Sequence, residues 1–197
     1  MQRLFATGAD DYVLKPLLGP ELLTRIRNRL ERTRMLKSLA ETDTMTGAAT
    51  LGKFTRTLHR AFATSDAPVT VALLDVDHVK RINASHGHAV GDLVIRRLAE
   101  LLLRAFPHEG AVARWGGEEF MVLVEQASKA EAEASLQAVF EAFRETRFEE
   151  GETPLSTTFS AGLVQYPQDG SDLKELYVAA EAAVHRAKQL GPGGFSS

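Results

Sequence analysis

Cysteine is absent from the 197 residues. Its absence removes disulfides and thiolate metal ligands from the available chemistry. A surplus of charge of one sign is missing too: 23 Lys and Arg stand against 26 Asp and Glu, a formal net charge of −3. A protein that covers a long phosphate backbone needs many basic side chains, so the composition argues against a dedicated nucleic-acid binder. A small anionic ligand needs only two or three local lysines and stays open. No apolar run approaches the ~20 residues of a membrane helix. The start, MQRLFATGADD, has no secretory h-region. The expectation is a cytoplasmic chain with no membrane segment and no nucleic-acid partner. Neither GxxxxGK[ST] nor HExxH occurs, and Thr158-Phe159-Ser160-Ala161-Gly162 lacks the first glycine of a nucleophile elbow. His86 and His88 flank Gly87, but no further His or Cys stands at zinc-ligand spacing.

What is present is close to a globular average, with 44% hydrophobic and 25% charged residues. That suits one ordinary domain plus an extra segment, or two very small ones. Residues 8–16 (GADDYVLKP) read as a turn, a short strand over Tyr12–Leu14 and a Lys-Pro end. One strand without partners is not stable, so the chain is expected to begin inside a longer protein. From Glu21 to Glu41 the spacing predicts a helix, with Leu22, Leu23, Ile26, Leu30, Leu36 and Leu39 largely on one side. Its arginines suit a solvated face, and its apolar side suits pairing with a twin helix in a dimer.

The expected elements then run in order: a helix over about Thr50–Ala63, a buried strand over Val69–Leu74, and a long helix over about Val90–Phe106. Strands over Ala111–Trp115 and Glu118–Val124 follow, with Gly116-Gly117 as the hairpin between them. A helix over Lys129–Glu145, a strand over Ser156–Val164 and a helix over Leu173–Leu190 complete the set, and GPGGFSS is expected to be a loose tail. From residue 69 this order predicts an α+β fold with a ferredoxin-like, split βαβ sheet.

Three groups of residues carry possible chemistry. Asp75-Val76-Asp77 ends the buried strand, where positions i and i+2 face one side. Two carboxylates side by side either bracket a hard cation such as Mg²⁺ or Mn²⁺ or simply cap a strand end. Arg114-Trp115-Gly116-Gly117-Glu118-Glu119-Phe120 places a turn without Cβ atoms beside two glutamates; it is either a ligand-hugging turn with exposed N–H groups or a plain charged hairpin. Lys80, Asn83, His88, Gly91 and Asp92 add a point charge for phosphate and a donor–acceptor set of the kind that reads a purine edge.

Together, RWGGEEF and DVDHVKRINASHGHAVGD at their spacing resemble the GGDEF family, the diguanylate cyclases, over roughly residues 41–191. Residues 8–30 resemble the end of a response-regulator receiver domain, with its Lys-Pro at Lys15-Pro16. The implied layout is a receiver remnant at 1–20, a connecting helix at 21–41, the cyclase domain at 42–191 and a tail at 192–197. The resemblance implies condensation of two GTP into cyclic di-GMP with release of two pyrophosphates, at the interface of a homodimer. It implies that Asp75, the Val76 carbonyl, Glu118 and Glu119 hold Mg²⁺ or Mn²⁺, with Glu118 and Glu119 the catalytic carboxylates. It implies that Lys80 and Lys188 hold the β- and γ-phosphates, that Asn83 and Asp92 bind guanine with His88 nearby, and that Gly116 and Gly117 lie against the nucleotide.

The chain also departs from the family pattern. Pro107-His108-Glu109-Gly110 stands where many members carry the product-binding RxxD. Thr50-Leu51 replaces the usual Asn-Arg, Val79 the usual Phe and Ala84 the usual Asp. Pro192 falls where a phosphate-binding Arg is expected. These departures keep open an alternative, a weak or inactive GTP-binding signalling module of the same fold.

Overall fold

The structure, a computed structural model, describes residues 20–39, 41–65, 67–148, 155–189 and 191–197. The receiver-like stretch at 8–16 lies outside the described residues. The chain divides into two units, Met1–Ala40 and Glu41–Ser197. In the first, helix α1 spans Pro20–Leu39. Leu23, Ile26 and Leu30 on it are exposed, at the i, i+3, i+7 spacing of one helical stripe.

The second unit is built on β1 (Val69–Val76), which is buried on both faces. Its continuous apolar sequence follows from that position: Ala72, Leu74 and Val76 enter one core, while Val69, Val71 and Leu73 enter the other. Within Val69–Leu74 Thr70 is the polar exception, and its hydroxyl donates to the Ala127 carbonyl at 2.7 Å. β2 (Val112–Arg114), β3 (Glu119–Glu125), β4 (Phe159–Tyr166) and β5 (Phe195–Ser196) complete a sheet of order β2-β3-β1-β4-β5. β1 runs antiparallel to both β3 and β4, β2 antiparallel to β3, and β5 parallel to β4. The first four strands have the expected ferredoxin-like order.

Among the described residues five helices belong to this unit: α2 (Leu51–Thr64), α3 (Val79–His86), α4 (His88–Ala105), α5 (Lys129–Glu145) and α6 (Leu173–Gln189). α4 and α5 cover one face through Val94, Leu98, Leu102, Leu136 and Phe143. α2 and α6 cover the other through Phe54, Leu58, Leu176 and Ala180. Each fully buried side chain of this size contributes roughly 1.5–3 kcal/mol of transfer free energy. Gly162 on β4 sets how close α6 comes: a Cβ there would lie 2.3 Å from the Ala180 carbonyl oxygen. α5 starts with a reciprocal cap, in which the Ser128 hydroxyl accepts from Glu131 N–H while Glu131 accepts from Ser128 N–H.

Three sequence expectations need correction. The stretch before residue 90 contains α3, whose only buried residues are Val79 and Ile82, too few to announce a helix by periodicity. β4 starts at Phe159, three residues late, because Thr157 and Thr158 turn their hydroxyls to Asp77 instead of entering the ladder. GPGGFSS is no loose tail: Phe195 packs edge-on against Phe140 and Phe159 and joins the sheet as β5.

Candidate functional site

The carboxylates collect where β1 and β3 end. In the antiparallel register Asp75 stands directly opposite Glu119 on one side and Ser160 on the other. Glu118 precedes β3, and its backbone carbonyl accepts from Val76 N–H at 3.2 Å. The hairpin thus brings Asp75, Val76, Glu118 and Glu119 to one place. Burial, then the charges of Asp75, Glu181 and Glu118, hold the Glu119 carboxyl above the ordinary carboxylate range, with Lys188 opposing. Lys188, near the end of α6, puts its ammonium 2.7 Å from Asp75 Oδ1.

Asp77 does not join them. The chain leaves β1 after Val76, so the two-residue period no longer applies. Asp77 is buried and accepts from Thr158 Oγ1 at 2.6 Å, Ser160 Oγ at 2.9 Å and Gly193 N–H at 2.9 Å. The expected Asp75–Asp77 pair is therefore one site carboxylate and one structural carboxylate. The next residue, His78, takes a left-handed φ of 62° as the chain turns into α3.

The Gly116-Gly117 turn is held from behind by Arg114. Its Nε donates to the Gly116 carbonyl at 3.2 Å and its Nη2 to the Gly117 carbonyl at 2.8 Å. Its Nη1 lies 3.3 Å from Asp43 Oδ1. Asp43 in turn accepts from the backbone and the hydroxyl of Thr46. Burial pushes the Asp43 carboxyl up, but the Thr46 hydrogen bonds and the Arg114 charge outweigh it and leave it below the ordinary range. Trp115, beside the turn, stacks on Tyr177 of α6 with centroids 4.6 Å apart. Burial and then the Glu119 charge raise the Tyr177 hydroxyl. Space at the turn is tight: a Cβ on Gly116 would lie 3.0 Å from Glu119 Oε2.

The base-reading candidates gather at the α3–α4 junction. Asn83 Oδ1 is buried and has no hydrogen-bond partner. It lies over Gly91, where a Cβ would come to 1.9 Å from it, so only glycine fits. A buried acceptor left unpaired costs about 1–3 kcal/mol, which a donor on a ligand would relieve. His88 and Asp92 are exposed and one turn apart on α4. Lys80 is exposed on α3.

Sequence reasoning gave no role to Asp43, Arg114, Tyr177 or Glu181. Asp43 and Arg114 are 71 residues apart, and no spacing announces such a pair. Tyr177, Glu181 and Lys188 fall on one face of α6, a periodicity that was readable in the sequence. Among the described residues no three carboxylate or imidazole side chains form a ready-made cation cage. The donors still fit a hard divalent cation. Mg²⁺ takes one or two carboxylates and completes its shell with water and substrate phosphates. Asp75 and Glu119, facing each other with only a lysine between their charges and neutrality, offer that set.

Residues 40–193 match the family described as diguanylate cyclase, GGDEF domain. The chain belongs to the GGDEF family. It is 32% identical over 174 residues to the cyclic di-GMP phosphodiesterase PdeR of Escherichia coli, covering 88% of this chain and 26% of that protein. It is 33% identical over 156 residues to the diguanylate cyclase DgcP of Pseudomonas aeruginosa, covering 77% of this chain and 23% of that protein. The chain thus spans about a quarter of the length of either relative. Among solved structures, the GGDEF domain of DgcB from Caulobacter crescentus in complex with c-di-GMP superposes with a TM-score of 0.71 at 27% identity, covering 79% of this chain and 92% of that one. Among the described residues no helix is long and apolar enough to cross a membrane.

Proposed function

We propose that this domain is a diguanylate cyclase that joins two GTP into cyclic di-GMP and releases two pyrophosphates. The observation that carries the reading is the opposition of Asp75 and Glu119 beside the Gly116-Gly117 turn. Mg²⁺ or Mn²⁺ would be held by Asp75, the Val76 carbonyl, Glu118 and Glu119, and would neutralise phosphate charge and acidify the attacking hydroxyl. The chain's own residues do the rest. Gly116 and Gly117 let the nucleotide lie against the backbone. Asn83 and Asp92 bind the guanine edge, with His88 beside them. Lys80 and Lys188 hold phosphate oxygens.

In each half-reaction a 3′-oxygen bonds to the α-phosphorus of the facing GTP, the bond to the pyrophosphate oxygen breaks, and the hydroxyl proton leaves. The raised proton affinity of Glu119 suits it to receive that proton. One domain holds one GTP, so two copies must face each other. The exposed stripe of Leu23, Ile26 and Leu30 on α1 supports pairing of that helix.

Glu109, within the stretch that replaces RxxD, is ion-paired to Lys53 at 2.6 Å, which supports a cyclase free of inhibition through that site. The test is incubation with GTP and Mg²⁺ at several protein concentrations, with chromatographic separation of nucleotides. Cyclic di-GMP, formed at a rate per chain that rises with concentration, is the expected result. Bound GTP without product, even with Mn²⁺, would overturn the cyclase and leave a GTP-binding module.

A further inference from the structure

The core does little to hold the glycine turn in place. Among the described residues nothing lies within 4 Å of where a Gly117 Cβ would stand. A Gly-Gly pair is also the least restrained dipeptide the chain can carry. The order of the turn therefore comes from its neighbours. Arg114 holds both glycine carbonyls. Trp115 supplies a second fastening. Its N–H donates to the Glu119 carbonyl at 2.9 Å, closing the hairpin from which Glu119 enters β3. Its indole stacks on the ring of Tyr177, with the two planes 19° apart. The stack thus ties the strand end that carries Glu119 to helix α6.

That helix is a fixed reference. Its backbone is pressed against β4 at Gly162, where a Cβ would also stand 2.7 Å from Val184 N. It is pressed against the approach to β5 at Gly194, where a Cβ would stand 2.6 Å from the Ala187 carbonyl oxygen. Ala180, Ala183 and Ala187 are buried along it. The same helix carries Lys188 to Asp75 at 2.7 Å. α6 therefore reaches both site carboxylates: Asp75 directly through Lys188, and Glu119 through Tyr177 and Trp115. Trp115 and Tyr177 are only half-buried, and the Tyr177 hydroxyl lies in the fields of Glu119, Glu181 and Asp75. The Tyr177 ring thus ends at the site and not inside the core.

We propose that Tyr177 is a positioning residue for the reaction: through its stack on Trp115 it sets the place of the Gly116-Gly117 turn and of Glu119 relative to Asp75 and Lys188. The proposal deepens the cyclase reading and rests on it. A displaced turn separates the nucleotide from the carboxylates that hold its cation, and reacting geometry tolerates little displacement. The ring plane carries this role and the hydroxyl does not, so phenylalanine serves in its place.

Trp115 is the chain's one tryptophan, so tryptophan fluorescence of the full chain reads the turn alone. The variants are Tyr177→Phe, Tyr177→Leu and Tyr177→Met, the last a flexible filler should leucine fail to fold. The control is Phe62→Leu. It breaks a second stack, of Phe62 on Tyr166 with centroids 3.8 Å apart, and Tyr166 pairs with Val69 at the far end of β1 from Asp75. The values of kcat and KM for GTP with Mg²⁺ are measured below every melting temperature. Tyr177→Leu and Tyr177→Met should lower kcat about tenfold or more and leave KM within about threefold, within the range that an ångström of misplacement costs. Their emission should shift to the red and be quenched more readily by acrylamide. Tyr177→Phe should keep the wild-type kcat and emission. Phe62→Leu should lower the melting temperature and change neither. An unchanged kcat, a loss confined to KM, or an equal loss of kcat in Tyr177→Phe or in Phe62→Leu overturns the proposal. So does failure of both ring-free variants to fold while Tyr177→Phe folds, which makes the ring a structural support only. A wild type that forms no cyclic di-GMP overturns the cyclase reading itself, a result distinct from any difference between variants.

Discussion

Asp75 and Glu119 face each other across β1 and β3 while Lys188 holds only Asp75. One ammonium thus stands beside two carboxylates and pairs with one of them. The imbalance falls on Glu119, whose carboxyl is raised by burial and by the charge of Asp75.

The raised proton affinity has a sign that can be measured. Folded Glu119 binds its proton more tightly than the unfolded chain does, so the contribution of this one group to metal-free stability falls as pH rises above about 4.5. Glu119→Gln removes that slope. The variant should match the wild type at pH 4 and melt higher than it at pH 7, with no divalent ion present. A wild type that is the more stable partner at pH 7 would show the carboxylate to be stabilised there instead.

Arg114 holds the glycine turn through two carbonyls and Asp43. Arg114→Ala should cost about 1.5–3 kcal/mol, the range for hydrogen bonds to charged groups, and lower the melting temperature by several degrees. Lysine lacks the planar fork, so Arg114→Lys should recover little. Cyclic di-GMP formation should fall in both variants, read by chromatography alongside the melt.

Asp77 is a buried carboxyl group that accepts from three neutral donors. Asp77→Ala leaves Thr158, Ser160 and Gly193 without an acceptor. The expected loss is about 3 kcal/mol or more, seen as a lower urea midpoint with little change in slope. Asp75→Ala should leave the midpoint near that of the wild type and abolish product.

In the proposed site Asp92 would accept from guanine N1–H and the 2-amino group, donors that adenine lacks. Asp92→Ser should relax selectivity, measured as the ratio of GTP to ATP incorporated into cyclic dinucleotide. Efficient ATP use by the wild type would sink this assignment.

The sheet was legible because its strands declare themselves. Val69–Leu74 is apolar without a break, and Gly116-Gly117 separates two strand-like runs. The site carboxylates were legible for the same reason, being short contiguous strings at strand ends. What stayed hidden depends on distance or on weak local signals. Asp43 reaches Arg114 across 71 residues. Asp77 belongs to the core only because β4 brings Ser160 and Thr158 to it. α3 has two buried side chains and β5 two residues, too few for any period to register.

Both borders of the sheet are short. β2 has three residues and is bridged along its outer side by Ala49, whose N–H donates to Val112 and whose carbonyl accepts from Arg114. β5 has two residues and is anchored by Phe195. Neither border offers a long row of free peptide groups on which another strand could grow. Copies of this domain can therefore be crowded together without being stitched into continuous sheets, and any encounter between them is left to side chains and to whatever they hold.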